Sequence, residues 1–236
     1  MEKEILIVKN IPEEGPGLLE ELLNERGIVY HVADLHKGQP FPSVESYGAI
    51  VVLGGPDSAN DENEKMENEL ARIREVVSGN IPYMGICLGL QTLVKAVGGN
   101  VVKSPVKEVG FIDPEGHPFT VELTEEGIRD PLFKGLGLLF HVLHLHGETV
   151  ELTGGCTLLG AGEFCRNQIV RVGSNAYGIQ CHFEFTPEMF ESWINEDPDL
   201  LMLDKEGLQA HFESVRTKYT QVGRQLFQNF LQISGF

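Results

Sequence analysis

Three times within its first hundred residues the chain runs a short apolar segment into a longer one whose hydrophobes recur at helical spacing, with glycine or proline marking the turns. Residues 4–10 (EILIVKN) precede GLLEELLNERG, in which Leu18, Leu19, Leu22 and Leu23 share one face ahead of Gly27. Residues 47–55 (YGAIVVLGG) precede a stretch from about Asp61 to Val77 that opens with carboxylates, as a helix N-terminus favours, and carries Met66, Leu70, Ile73 and Val77. IPYMGI then leads into CLGLQTLVKAVGG, where Leu90, Leu93, Val94 and Val97 line a face and Gly98 stands where a C-cap belongs. A further β-rich run, IVYHVAD (28–34), falls between the first two units. Strands alternating with helices through short links close most economically as a parallel sheet wrapped by helices, so the expected class is α/β.

From about residue 100 to 185 the pattern becomes a series of strand-like runs (FTVELT, LLFHVLHLH, QIVRV, AYGIQCHF) separated by Gly, Pro and Asn. Thr186-Pro187-Glu188 reads as an N-cap, a proline at the first helical position and an acidic first turn, and the remainder is helical. The chain of 236 residues is expected to form a single domain over 1–236, with a core of about 1–190 and a helical extension of about 187–236. A net charge of −17 repels phosphate backbones and anionic headgroups, which argues against nucleic-acid and membrane partners. No run of about 18 apolar residues occurs and the first residues do not read as a signal peptide, so the expected location is the cytoplasm. The four cysteines, Cys87, Cys156, Cys165 and Cys181, form no C-x-x-C pair and are expected to be reduced thiols.

Gly85-Ile86-Cys87-Leu88-Gly89 lies where a strand turns into a helix. Glycines two positions either side of a nucleophile permit the tight turn of a nucleophile elbow, and a thiol there faces a helix N-terminus that favours thiolate. The competing reading is a small buried hydrophobe at a crowded glycine crossing. In Tyr177–Glu184 (YGIQCHFE) a period of two places Gly178, Gln180, His182 and Glu184 on one face, so a carboxylate can orient an imidazole base; the same alternation is also what a solvated strand face shows. Gly54-Gly55-Pro56-Asp57-Ser58 ends a buried strand, where bare backbone can approach a ligand or donate to an oxyanion, but the residues of a phosphate-binding loop do not follow. His141, His144 and His146 raise the question of a metal; His144 and His146 share a face, no Cys or carboxylate pair stands next to them, and no metal is expected.

GGPDS (54–58), PYMGICLGLQ (82–91) and YGIQCHFE (177–184) together resemble the signature segments of class I glutamine amidotransferases, in order and at similar separations. KEVGF (107–111) and LHGETVEL (145–152) resemble further segments of stand-alone relatives of the GMP synthase amidotransferase domain. The resemblance covers roughly residues 1–190 and implies a flavodoxin-like fold and release of ammonia from the glutamine side chain without a cofactor. It implies Cys87 as nucleophile, His182 as general base and acid, and Glu184 as its orienter. Gly55 and Leu88 would supply oxyanion-hole N–H groups, Gln91 would hold the glutamine, and His146 and Gly147 would flank its amino-acid end. Phe183 stands where the family has proline and Cys181 where it has an aromatic, which implies a less stiff backbone around His182; Leu145 replaces the aromatic before the H-G pair.

Two further hydrolase readings compete. A cysteine α/β-hydrolase also uses a G-x-C-x-G elbow but places its acid before its histidine in the chain. A stand-alone γ-glutamyl hydrolase or glutaminase on the same scaffold would pass its product to no acceptor, and a catalytically silent regulatory or binding relative would keep the fold alone. The residues carry no ATP-pyrophosphatase signature, so an ammonia acceptor is expected on a separate, ATP-dependent synthetase.

Overall fold

The computed structural model describes residues 3–113 and 115–236. The chain begins β1 (Glu4–Lys9), α1 (Leu18–Arg26), β2 (Tyr30–Asp34), β3 (Tyr47–Val52), α2 (Glu64–Ser78), β4 (Tyr83–Ile86) and α3 (Leu88–Ala96). It continues through β5 (Asn100–Gly110), β6 (Thr120–Leu123), α4 (Glu125–Arg129), β7 (Leu139–His141), β8 (His144–Glu151), β9 (Cys156–Gly162), β10 (Ile169–Val172) and β11 (Ala176–Ile179). Two helices, α5 (Pro187–Glu196) and α6 (Lys205–Ile233), complete it.

The large sheet runs β2-β1-β3-β4-β11-β10-β9-β6-β7. Its first five strands are parallel, and the antiparallel partners β10, β9, β6 and β7 extend it on the other side of β11. Ile5 to Val8 and Ala49 to Val52 are inaccessible or nearly so, as strands covered on both faces must be. The helices form where the apolar spacing places them: Leu18, Leu19, Leu22 and Leu23 of α1 are buried and Gly27 closes the helix in the left-handed conformation. Thr186 caps α5, its side chain accepting the Met189 N–H, with Pro187 in the first turn.

The second half departs from the linear reading in three places. LLFHVLHLH is two strands, because β7 joins the large sheet whereas β8 pairs with β5 in a separate two-stranded ribbon. Between them Leu143 bridges to His182. Strand β5 contains Pro105, and its register against β8 shifts between Lys103 and Glu108, the irregularity expected where a residue without an N–H interrupts a ladder. Strand β11 ends at Ile179, so the segment carrying His182 and Glu184 lies beyond the strand.

The helical extension packs on its own core. Leu208, Phe212 and Tyr219 of α6 are buried together with Phe111, Phe185, Phe190 and Trp193, and Val215 packs against that cluster. At Gly223 a Cβ would lie 2.2 Å from the Phe183 carbonyl oxygen, so α6 touches the backbone beside His182.

Candidate active site

Cys87 sits at the N-cap of α3 with φ 52° and ψ −104°, a conformation that costs a non-glycine residue of the order of 1–3 kcal/mol and recurs where a side chain must be presented. The turn closes because Gly85 and Gly89 lack side chains: a Cβ on Gly85 would meet the Gly89 carbonyl oxygen at 2.2 Å, and one on Gly89 the Val52 carbonyl oxygen at 2.3 Å. The Cys87 N–H donates to the Ile179 carbonyl at 2.7 Å, which ties the elbow to the end of β11. Gln180 Nε2 lies 3.6 Å from the Cys87 sulfur.

His182 is fully enclosed and held on every side. Its N–H donates to the Leu143 carbonyl at 2.9 Å, and its carbonyl accepts from the Tyr219 hydroxyl at 3.1 Å. Nδ1 meets Glu184 Oε1 at 2.5 Å, while Glu184 Oε2 accepts the Phe183 N–H at 2.9 Å. Nε2 is buried and without a hydrogen-bond partner among the described residues. Burial disfavours charge on the ring, but the Glu184 carboxylate and the neighbouring Cys87 sulfur outweigh it and hold the imidazole well above the usual histidine range.

The alternation along 177–184 correctly places His182 and Glu184 together, but the solvated-face reading fails, since Gln180, His182 and Glu184 are all inaccessible to within 1%. The expected slackness at Phe183 is also corrected. Proline could not donate the hydrogen bond that Phe183 gives Glu184, and the Phe183 ring stands edge-on to Phe140 in the core.

A cavity of about 470 Å³, a size suited to a small molecule, is lined by Gly55, Cys87, Gln91, His146, Gly147 and His182. Leu88 and Glu184 stand behind this wall. A Cβ on Gly55 would be 3.4 Å from Leu88 Cδ2, so the two expected oxyanion donors are neighbours, and the Leu88 N–H is the first of α3, where no intrahelical acceptor exists. The Gln91 amide is 3.4 Å from the Glu148 carbonyl and 3.3 Å from Gln180 Oε1.

Behind His146 lies a buried cluster that linear spacing did not show. Glu108, opposite His146 in the β5–β8 register, has Oε2 2.9 Å from His146 Nε2, and His144 Nδ1 is 3.2 Å from the same nitrogen. Glu108, His144 and His146 could present three ligand atoms to a cation, yet they already satisfy one another, with Gln168 Nε2 donating to Glu108 at 3.2 Å. His141 takes no part in this cluster.

Three wall elements were missed from sequence. Trp193, Asp197, Pro198 and Asp199 reach the cavity from the helical extension, and Lys107 pairs with Asp199 at 2.5 Å across its mouth. Gln180 was placed on the correct face but given no role. Glu14, from the proline- and glycine-rich turn after β1, is 1% exposed, accepts the Gly54 N–H at 2.6 Å and lines the cavity. Buried carboxylates in a turn leave no periodic signal in a sequence.

A strained cysteine at a helix N-terminus beside an imidazole–carboxylate pair, on a parallel α/β sheet, is the arrangement of a cysteine-dependent amide hydrolase. The family model "Glutamine amidotransferase class-I" matches residues 18–197. The chain is 31% identical over 224 residues to the glutamine amidotransferase-like protein YfeJ of Salmonella typhimurium, covering 91% of this chain and 90% of that one. It is 36% identical over 151 residues to the GMP synthase of Thermosipho melanesiensis, covering 63% of this chain and 26% of that one, so it spans about a quarter of that relative's length. The crystal structure of a glutamine amidotransferase from Thermotoga maritima superposes with a TM-score of 0.87 at 25% identity, over 98% of this chain and 99% of that one. The chain belongs to the class I glutamine amidotransferase family, and this membership supports enzymatic hydrolysis of glutamine for ammonia transfer. No helix among the described residues is long and apolar enough to cross a membrane.

Proposed function

We propose that the chain, working as one domain over 1–236, hydrolyses the glutamine side-chain amide through Cys87 and delivers ammonia to an acceptor held by a separate ATP-dependent synthetase. The observation that carries this reading is the meeting, at one cavity, of Cys87 on its elbow with an imidazole whose Nδ1 is taken by Glu184 and whose Nε2 is free. His182, kept basic by Glu184, takes the thiol proton and the thiolate attacks the carboxamide carbon. The N–H groups of Gly55 and Leu88 receive the oxyanion, each such donor being worth about 2.7–4 kcal/mol where measured. The imidazolium protonates the departing nitrogen, which leaves as ammonia. His182 then deprotonates water, which cleaves the γ-glutamyl thioester to glutamate and restores the thiol. Gln91, His146 and Gly147 hold the amino-acid end.

Support for an acceptor on another protein comes from the GMP synthase relatives, in which the matched region is a fraction of a longer chain. The test is glutamate and ammonia release by the purified chain and by Cys87→Ala, alone and with ATP-dependent synthetases plus their substrates. Loss of both products in Cys87→Ala and stimulation by one synthetase are expected. Turnover that survives the substitution refutes the nucleophile assignment. Faster release from other γ-glutamyl amides than from glutamine, without stimulation, would make the protein a γ-glutamyl hydrolase.

A further inference from the structure

Glu14 is a buried carboxyl that the proposed reaction does not use, yet it touches two parts of the machinery. One oxygen accepts the N–H of Gly54, the residue before the expected oxyanion donor Gly55. Its other oxygen occupies the space a side chain at 54 would need: a Cβ there would lie 2.6 Å from Glu14 Oε2. Glu14, His182 and Glu184 each place a ligating atom within 4.8 Å of the others'. The loop bearing Glu14 is itself locked to the same segment, because the Leu18 N–H donates to the Glu184 carbonyl at 2.8 Å and a Cβ on Gly17 would lie 2.0 Å from that oxygen. The Trp193 indole N–H fastens the loop from the other side, donating to the Glu13 carbonyl at 3.1 Å.

Resting on the hydrolase reading above, we propose that Glu14 is a positioning residue: ionised, it fixes the Gly54–Gly55 backbone for the oxyanion and steadies the His182 imidazolium, and protonated, it relaxes both. A carboxylate accepts an N–H roughly twice as strongly as a neutral acceptor, so its proton is a lever on the loop. The charged groups around it are His182 and Glu184 after β11, and Lys9 at the end of β1. Burial pushes its carboxyl up to about 7, with the Glu184 charge adding to the rise and His182, the Gly54 N–H and Lys9 opposing it. The group therefore changes state near neutrality, whereas an unburied glutamate stays ionised there.

The experiment is the pH profile of glutamate release for the wild type, Glu14→Gln and Glu14→Asp, with thermal melts on each and a 13C-carboxyl NMR titration of Glu14 in the wild type and in His182→Ala. The wild-type kcat is expected to fall on an acidic limb near pH 7, where this carboxyl titrates. In Glu14→Gln the limb moves to lower pH while kcat falls about tenfold at unchanged KM, the size of loss a small displacement of a donor produces. Glu14→Asp keeps an ionisable group but is too short for the Gly54 N–H, so it keeps a limb and loses rate, which preserves the test should Glu14→Gln fail to fold. The NMR titration should fall near neutrality and move upward in His182→Ala, which removes the cation that lowers it. A wild-type limb retained in Glu14→Gln, a loss confined to KM, or a carboxyl titrating in the ordinary glutamate range overturns the inference. A wild type that hydrolyses no glutamine refutes the hydrolase reading alone, and the NMR titration then decides the role of Glu14 by itself.

Discussion

Replacing Glu184 with Gln changes one oxygen to NH2 at almost constant volume, and the surroundings of this residue leave the amide no good orientation. If its oxygen faces His182 Nδ1, its NH2 is set against the Phe183 N–H, which now donates to Oε2 at 2.9 Å. Two buried donors are then opposed, at a cost of about 1–3 kcal/mol for the unsatisfied group. If the amide turns over, its NH2 faces Nδ1, which must become the acceptor, and the proton moves to Nε2, the nitrogen that has to act as base. In either orientation the imidazolium loses the charge of a partner now 2.5 Å away, and a hydrogen bond to a charged group is worth about 1.5–3 kcal/mol. Together these terms come to roughly 2.5–6 kcal/mol in the transition state, a loss of about 10²- to 10⁴-fold in kcat. Steady-state glutamate release at saturating glutamine, with a thermal melt to confirm folding, measures it. KM should change little, because the contact acts on the base and not on the substrate. A folded Glu184→Gln protein within about threefold of wild-type kcat, which is under 1 kcal/mol, would refute the orienting role and leave Glu184 a structural carboxylate.

A glutamine-shaped electrophile should label Cys87 alone, since Cys165 and Cys181 are 1% and 0% exposed and Cys156 is outside the cavity; peptide mass mapping of the adduct to another cysteine would contradict the elbow assignment. Gly223→Ala should lower stability by about 1–3 kcal/mol and reduce turnover although α6 supplies no reacting group, because the new methyl would meet the Phe183 carbonyl at 2.2 Å and push the His182 segment. Urea unfolding together with kcat measures this, and unchanged values for both would show that the contact is slack. Glu69, fully buried in α2, has its carboxyl raised from 4.5 to about 7, chiefly by burial and against the pull of Lys65. The native chain then binds more protons than the unfolded chain across that window, so this group's contribution to stability falls as pH rises through it. Relative to wild type, Glu69→Gln should gain about 3 kcal/mol between the two ends of the window, at 1.36 kcal/mol per pKa unit. A pH-independent difference in urea unfolding free energy would refute this.

The residues by themselves determined the strand–helix units of the first hundred positions, the elbow around Cys87, and the pairing of His182 with Glu184. Each rests on short-range physics: apolar periodicity, glycines flanking a turn, and side chains two apart in extended chain pointing one way. The α/β class followed, and the family model agrees with it. Tertiary structure decided what depends on long-range closure. The division of LLFHVLHLH between two sheets comes from pairing with β6 on one side and β5 on the other, which no local propensity encodes. The enclosure of His182 comes from four separate elements, Leu143, Phe183, Glu184 and Tyr219, the last 37 residues away on a helix whose apolar stripe disclosed nothing of its hydroxyl. Glu14 and Glu108 were invisible for the same reason: an isolated carboxylate in a turn or an irregular strand reads as solvated until the fold removes the water from around it, and only burial converts it into a group that must find a partner.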